Sequence, residues 1–193
     1  EVGDAKIKDP WEKYTSGDKE GGLYAVESWY SWHSRDDYTN NIFSIRNTYY
    51  GRIDDNDVDK VDGNLNAFAS YADFDDAGDI AEKSLSRLIA SVNTELDEKI
   101  KTLIFESAKA IQAIPQPFRN NIDSEESVAA MDKCMELASA LKNELLPFVT
   151  NELSDPKYDD QLDAVAEQFV DAVVLPTYKE LKEKNTALLE SVN

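Results

Sequence analysis

The feature that most restricts this chain is an apolar rhythm of three- and four-residue steps that two prolines cut short. Leu85, Leu88, Val92, Leu96, Ile100, Leu103 and Ile111 keep the rhythm, and Pro115 and Pro117 follow at once. That spacing paints one stripe along an α-helix, whereas a strand would need every second residue. Proline stops the helix because it lacks an N–H and its ring clashes with the carbonyl four residues back. A helix is therefore predicted from about Asp79 to Ile114.

The same rhythm returns on both sides of it. Tyr38, Ile42, Ile45 and Tyr49 predict a helix over Ser34 to Tyr50. Ser34 is its expected N-cap, Asp36 and Asp37 sit where the helix dipole favours anions, and Gly51 closes it. A third helix starts at Ser124 and runs through Val128, Met131, Met135, Ala138, Leu141, Leu145 and Phe148, with Pro147 kinking or fraying its last turn. Asp155-Pro156 turns the chain into a fourth, from about Asp159 to Leu189, through Leu162, Val165, Phe169, Val173, Leu181 and Leu188. A kink is expected near Pro176. Residues 1–22, broken by Pro10, Gly17 and Gly21-Gly22, read as irregular. The aromatic run Leu23 to His33 could form a short helix, and residues 52–78 read as a long acidic loop.

Four amphipathic helices joined by short connections bury their stripes most simply as an all-α, up-and-down four-helix bundle. Ile42, Ile45, Leu88, Val92, Leu96, Leu141, Leu145, Phe169 and Val173 are its expected core. With 193 residues the chain fits a single domain, and only 7 glycines and 6 prolines argue against a turn-rich β fold. No stretch has the apolar length to cross a membrane. The first residue is Glu1, which points to a processed or trimmed product.

Charge excludes some partners. Thirty-nine acidic against twenty basic residues give −19, and no Lys/Arg cluster exists to displace counterions from a phosphate backbone. Nucleic acid and anionic lipid surfaces are poor partners, while cations are not repelled. Cys134 is the only cysteine, so an internal disulfide and a Cys-based zinc site are both impossible. It falls in an apolar stripe, where a thiol is buried and slow to react.

Catalytic signatures are sparse. His33 is the only histidine, so a His-Glu-x-x-His zinc motif cannot be built, and its neighbour Ser34 is not thereby presented to the imidazole. Asp55, Asp57 and Asp59 alternate as calcium ligands do, but Lys60 and Asn66 stand where an EF-hand needs Gly and Glu. The more informative pattern is a polar stripe beside the apolar one on the first long helix: Asp37, Asn41, Ser44 and Thr48. Such residues are poor helix formers that suit fixed hydrogen bonds better than bulk solvent. Two readings stay open, a shielded docking face and an interhelical hydrogen-bond network. On the first, the site comprises His33, Ser34, Asp37, Asn41 and Ser44, with Trp29 or Trp32 as an aromatic wall and free first-turn N–H groups for an anion.

The stretch Tyr30-Ser-Trp-His-Ser-Arg-Asp-Asp-Tyr-Thr-Asn-Asn-Ile-Phe-Ser-Ile-Arg-Asn-Thr-Tyr-Tyr-Gly51 resembles a signature of the imelysin family, also called insulin-cleaving membrane protease or iron-regulated protein A-like. Ser84-Leu-Ser-Arg-Leu-Ile and Ala110-Ile-Gln-Ala-Ile-Pro-Gln-Pro-Phe118 are similar to the family as well. The resemblance implies two helical bundles with a site between them, of which this chain is the second. The family's Gly-x-His-x-x-Glu motif is absent here, since Ser31 precedes His33 by two and Asp36 follows where Glu would stand. What it further implies is an envelope protein, periplasmic or on the outer surface and lipid-anchored when intact, that binds a ligand or a metal such as iron and serves iron uptake. Its implied partner is the other bundle. A metallopeptidase with its motif in that other half, and a helical interaction module, are the alternatives.

Overall fold

The computed structural model describes residues 1–28, 30, 32–53 and 80–192. Every regular element among them is helical. Helix α1 joins a wide π-type turn, Val2–Lys8, to an α-helix, Asp9–Thr15, and α2 spans Lys19–Ala25. Helix α3 is Ser34–Tyr50, α4 is Leu85–Val92 and α5 is Thr94–Ala113. Helix α6 runs through Glu125–Ala140, Leu141–Leu145 and Leu146–Asn151. Helix α7 runs through Asp159–Phe169, Val170–Val174 and Leu175–Val192.

The all-α expectation is met, with three corrections to the helices. Residues 1–22 are not irregular. Pro10 lies at a helix start, where its missing N–H costs nothing, and Gly22 lets α2 press against α1. The expected helix Asp79 to Ile114 is two helices, because Asn93 leaves helical geometry and its side chain caps α5 by accepting from Leu96 N at 3.0 Å. An unbroken apolar rhythm across Asn93 hides that break in the sequence. Third, Ser34 does not cap α3: His33 is the N-cap residue and makes no side-chain cap bond.

Prolines inside α1, α6 and α7 do not end them. In each case a π-type turn finishes two residues earlier: Val2–Lys8 before Pro10, Leu141–Leu145 before Pro147, Val170–Val174 before Pro176. Widening the turn moves the carbonyl that the ring would otherwise strike and spares the missing donor.

Helix α5 is the hub. It packs on α3, α4 and α6, and buries Leu96, Ile100, Leu103, Ile104, Phe105, Ala108 and Ile111, too broad a face for one neighbour. Helix α1 lies on α6 and also touches α3, with Val2, Gly3 and Ile7 buried. It takes a place expected for the last helix. Of the expected core, Ile42, Leu88, Leu96 and Leu145 are buried, and Ile45 and Leu141 pack against them. Val92, on the rim where α4 ends, is 39% exposed. Phe169 and Val173 are only partly covered, because α7 touches α4 near its own start and then runs beside α3 across an open groove. Tyr178 and Leu181 on its distal half are 64% and 57% exposed.

Candidate functional site

The two family-like stretches lie against each other. Arg35 on α3 donates from Nη1 to the carbonyls of Gln112 at 3.3 Å and Ile114 at 3.4 Å. With its amide oxygen turned to the guanidinium, Gln116 accepts from Nη2 at 2.9 Å and Nε at 3.1 Å. Gln112 Nε2 donates to the buried Thr39 hydroxyl, and the Tyr38 and Phe118 rings meet edge to face at 5.7 Å. The planar fork of Arg35 thus holds the chain where α5 stops at its prolines.

Before α3 the chain makes a tight turn with Ser28 and Trp32 at φ of 57° and 64°. Both are in the left-handed region, unusual for residues other than glycine. Two hydrogen bonds secure the turn: Ser28 Oγ donates to Asp37 Oδ2 at 2.5 Å, and Ser34 Oγ donates to the Glu27 carbonyl at 2.5 Å. Ser34 is buried and committed to that contact. Trp32 is exposed, with the Arg119 guanidinium 5.3 Å from its ring centre. His33 is exposed, and its Nδ1 lies 3.4 Å from Asp36 Oδ2. Trp29 lies outside the described residues, as do Asp55, Asp57, Asp59, Lys60 and Asn66 of the acidic stretch.

Along α3 the polar stripe bonds to its own helix. Asn41 Nδ2 donates to the Asp37 carbonyl at 2.6 Å, Ser44 Oγ to Asn40 at 3.0 Å, and Thr48 Oγ1 to Ser44 at 2.8 Å. No described helix answers these side chains from across a gap. Asn41 instead lines a groove shared with α1 and α6, and Ser44 lines a second one against α7. That second groove holds about 380 Å³. Ser44, Asn47 and Thr48 form its polar wall, while Phe169, Val173, Val174 and Tyr178 form its apolar wall. Asn47 Oδ1 is buried without a hydrogen-bond partner among the described residues, a costly state for an amide oxygen. His33 and Ser34, at the end of α3, line neither groove.

The apolar wall of α7 was missed in the sequence, where its stripe reads as core. Its signal is a Lys/Glu-flanked stripe interrupted by Pro176, which does not say what covers it. Among the described residues, no three His, Cys, Asp or Glu side chains come together to hold a metal ion. His33 and Asp36 are a pair and do not suffice for an iron or zinc site alone. No described helix is long and apolar enough to cross a membrane.

The all-α fold of this chain is shared with known proteins. The imelysin family model matches residues 1–145. A solved imelysin peptidase from Bacteroides ovatus is 53% identical with a TM-score of 0.82, covering 99% of this chain and 48% of its own. A solved protein described as an iron-regulated protein A precursor, from Parabacteroides distasonis, is 37% identical with a TM-score of 0.60, covering 73% of this chain and 35% of its own. No curated protein matches the chain. The chain belongs to the imelysin family, and it spans about half the length of the imelysin peptidase it matches.

Proposed function

We propose that this chain is one helical-bundle domain of a cell-envelope imelysin protein, and that its α3–α7 groove meets the rest of the family fold to enclose a ligand. The observation carrying this is the groove itself, a wall of Ser44, Asn47 and Thr48 facing a partly exposed apolar wall on α7. A row of exposed large apolar side chains, Val170, Val174, Tyr178 and Leu181, is the kind of surface that another element covers. The Bacteroides ovatus relative, at 53% identity, has a further half of its length with which to cover it.

Binding, linked to iron uptake, is the favoured role. The name of the Parabacteroides distasonis relative supports the iron connection. A metal ion would take donors from beyond the described residues, with His33 and Asp36 able to supply at most two. The envelope location, periplasmic or at the outer surface with a lipid anchor, follows the same reading. Peptidase activity is the second reading, favoured by the name of the Bacteroides ovatus relative. In it, the catalytic motif belongs to the other half.

Metal analysis of the intact two-bundle protein tests the first reading: bound iron or another divalent ion at a fixed stoichiometry is expected. Peptide cleavage that a chelator abolishes would favour the second. A metal-free, inactive protein would leave an interaction module and reject both.

A further inference from the structure

We propose that the groove between α1, α3 and α6 binds a single-chain amphiphile with an anionic head, a fatty-acid carboxylate, with its tail in the groove and its head at Lys142. This groove is separate from the α3–α7 face, and the proposal stands without that reading.

The groove holds about 510 Å³, within the range of small-ligand sites. Its floor is apolar and buried: Val2 and Gly3 of α1, Ile42 of α3, and Cys134 and Leu137 of α6. Two flexible side chains stand at its mouth, Met135 at 40% and Leu146 at 57% exposed. A thioether and a leucine free to repack suit an alkyl chain, which carries no polar group to satisfy.

The head group follows from charge. Lys142 lines the groove, is exposed and makes no ion pair among the described residues. Other lysines nearby are engaged: Lys133 with Glu106 at 2.8 Å and Glu136 at 3.0 Å, Lys99 with Glu144 at 2.6 Å. The groove's carboxylate, Glu1, lies 3.9 Å from Lys6, whose ammonium is also 2.7 Å from Glu27. Lys142, an ammonium with no ion pair among the described residues, stands at the rim of an apolar slot and favours an amphiphile with an anionic head over a neutral lipid, a local pairing set against the overall charge of −19. Asn41 gives one amide hydrogen to the Asp37 carbonyl and keeps the other, with its own carbonyl oxygen, for the groove.

Calorimetric titration of the full chain with decanoate, and separately with 1-decanol, tests this. Lys142→Glu and Ala138→Trp alter exposed groove positions outside the core, so both variants are expected to fold, which far-UV circular dichroism checks. Lys142→Glu is expected to weaken decanoate about tenfold and change decanol by less than about twofold. Ala138→Trp should abolish binding of both by filling the slot. Absence of decanoate binding overturns the proposal. So does decanoate binding that survives Ala138→Trp, which would be ion pairing at the surface, or that ignores Lys142→Glu.

Discussion

Tyr49 on α3 donates its phenolic hydroxyl to Asp97 Oδ1 on α5 at 2.9 Å, inside the core and out of reach of solvent. Ser86 on α4 donates to the same oxygen at 2.7 Å, and Lys101 lies 3.5 Å from Oδ2. Three helices therefore converge on one buried carboxylate. Burial and the Asp97 charge push the Tyr49 hydroxyl far above its ordinary range, so it stays a donor at any working pH. Removing Tyr49 alone leaves Ser86 and Lys101 in place, and Tyr49→Phe is expected to cost about 1–3 kcal/mol. Asp97→Ala leaves the buried Tyr49 and Ser86 hydroxyls without their shared acceptor and should cost about 1–3 kcal/mol for each. Urea unfolding of both, and of the double variant, checks this, since a coupled pair gives less than the sum.

Arg35 is expected to matter for local order more than for the core. Arg35→Ala removes every guanidinium bond to residues 112, 114 and 116. Amides of residues 116–122 should then exchange faster while those of α5 keep their protection, at a cost of roughly 1–3 kcal/mol overall. Unchanged exchange in that segment would show that the prolines alone hold it.

Cys134 is predicted to be inert at neutral pH and to make the fold alkali-sensitive. Burial pushes its thiol up from 9.0 to about 12, only partly offset by the Ser107 hydroxyl. Lys133 does not lower it, being turned to Glu106 and Glu136. The folded state keeps the proton longer than the unfolded one. The contribution is therefore full below pH 9 and is lost as pH rises towards 12, at roughly 1.4 kcal/mol per pH unit. Denaturant titrations should show a steeper alkaline decline than in Cys134→Ala. Native-state labelling by a thiol reagent at pH 8 should be slow.

Gly22 is expected to be irreplaceable by even one methyl group. A Cβ there would lie 2.8 Å from Tyr14 Cβ and 2.9 Å from the Pro10 carbonyl oxygen. Neither atom can yield without moving α1, so Gly22→Ala should cost about 1–3 kcal/mol. Thermal melting measures it, and a neutral or stabilising result would mean α2 is loosely seated.

Asn41→Ala and Ser44→Ala should change stability by less than about 0.5 kcal/mol, because among the described residues both side chains bond to their own helix. A larger loss would make the stripe a structural network. Unchanged stability with weakened ligand or partner binding by the intact protein would place it on a functional face.

Local and tertiary information divide cleanly along this chain. Periodicity, caps and paired prolines located α3, the proline end of α5, the start of α6 at Ser124 and the start of α7, because each is set by residues within a few turns. Ser124 accepts from Ser127 N at 3.1 Å as its position predicts. Asn93 could have been read as a cap, with Glu95 and Asp97 in the turn after it, but an apolar stripe says nothing about whether the backbone between its members is continuous. Which stripes are covered was legible on α3, α5 and α6, where Ile42, Leu96 and Leu145 are buried as expected, and not on α1 or the distal half of α7. Val2, Gly3 and Ile7 are buried and Leu181 is exposed, though Leu181 belongs to the stronger sequence pattern. Amphipathicity records that a face avoids water, and only packing decides what covers it. The same holds for polar residues: Asp97 reads as a first-turn acid and proves to be a buried junction, through partners 48 and 11 residues away. Sequence fixes the local geometry of each helix, and the tertiary fold alone brings Arg35 to Gln116 and turns the face of α3 towards a groove.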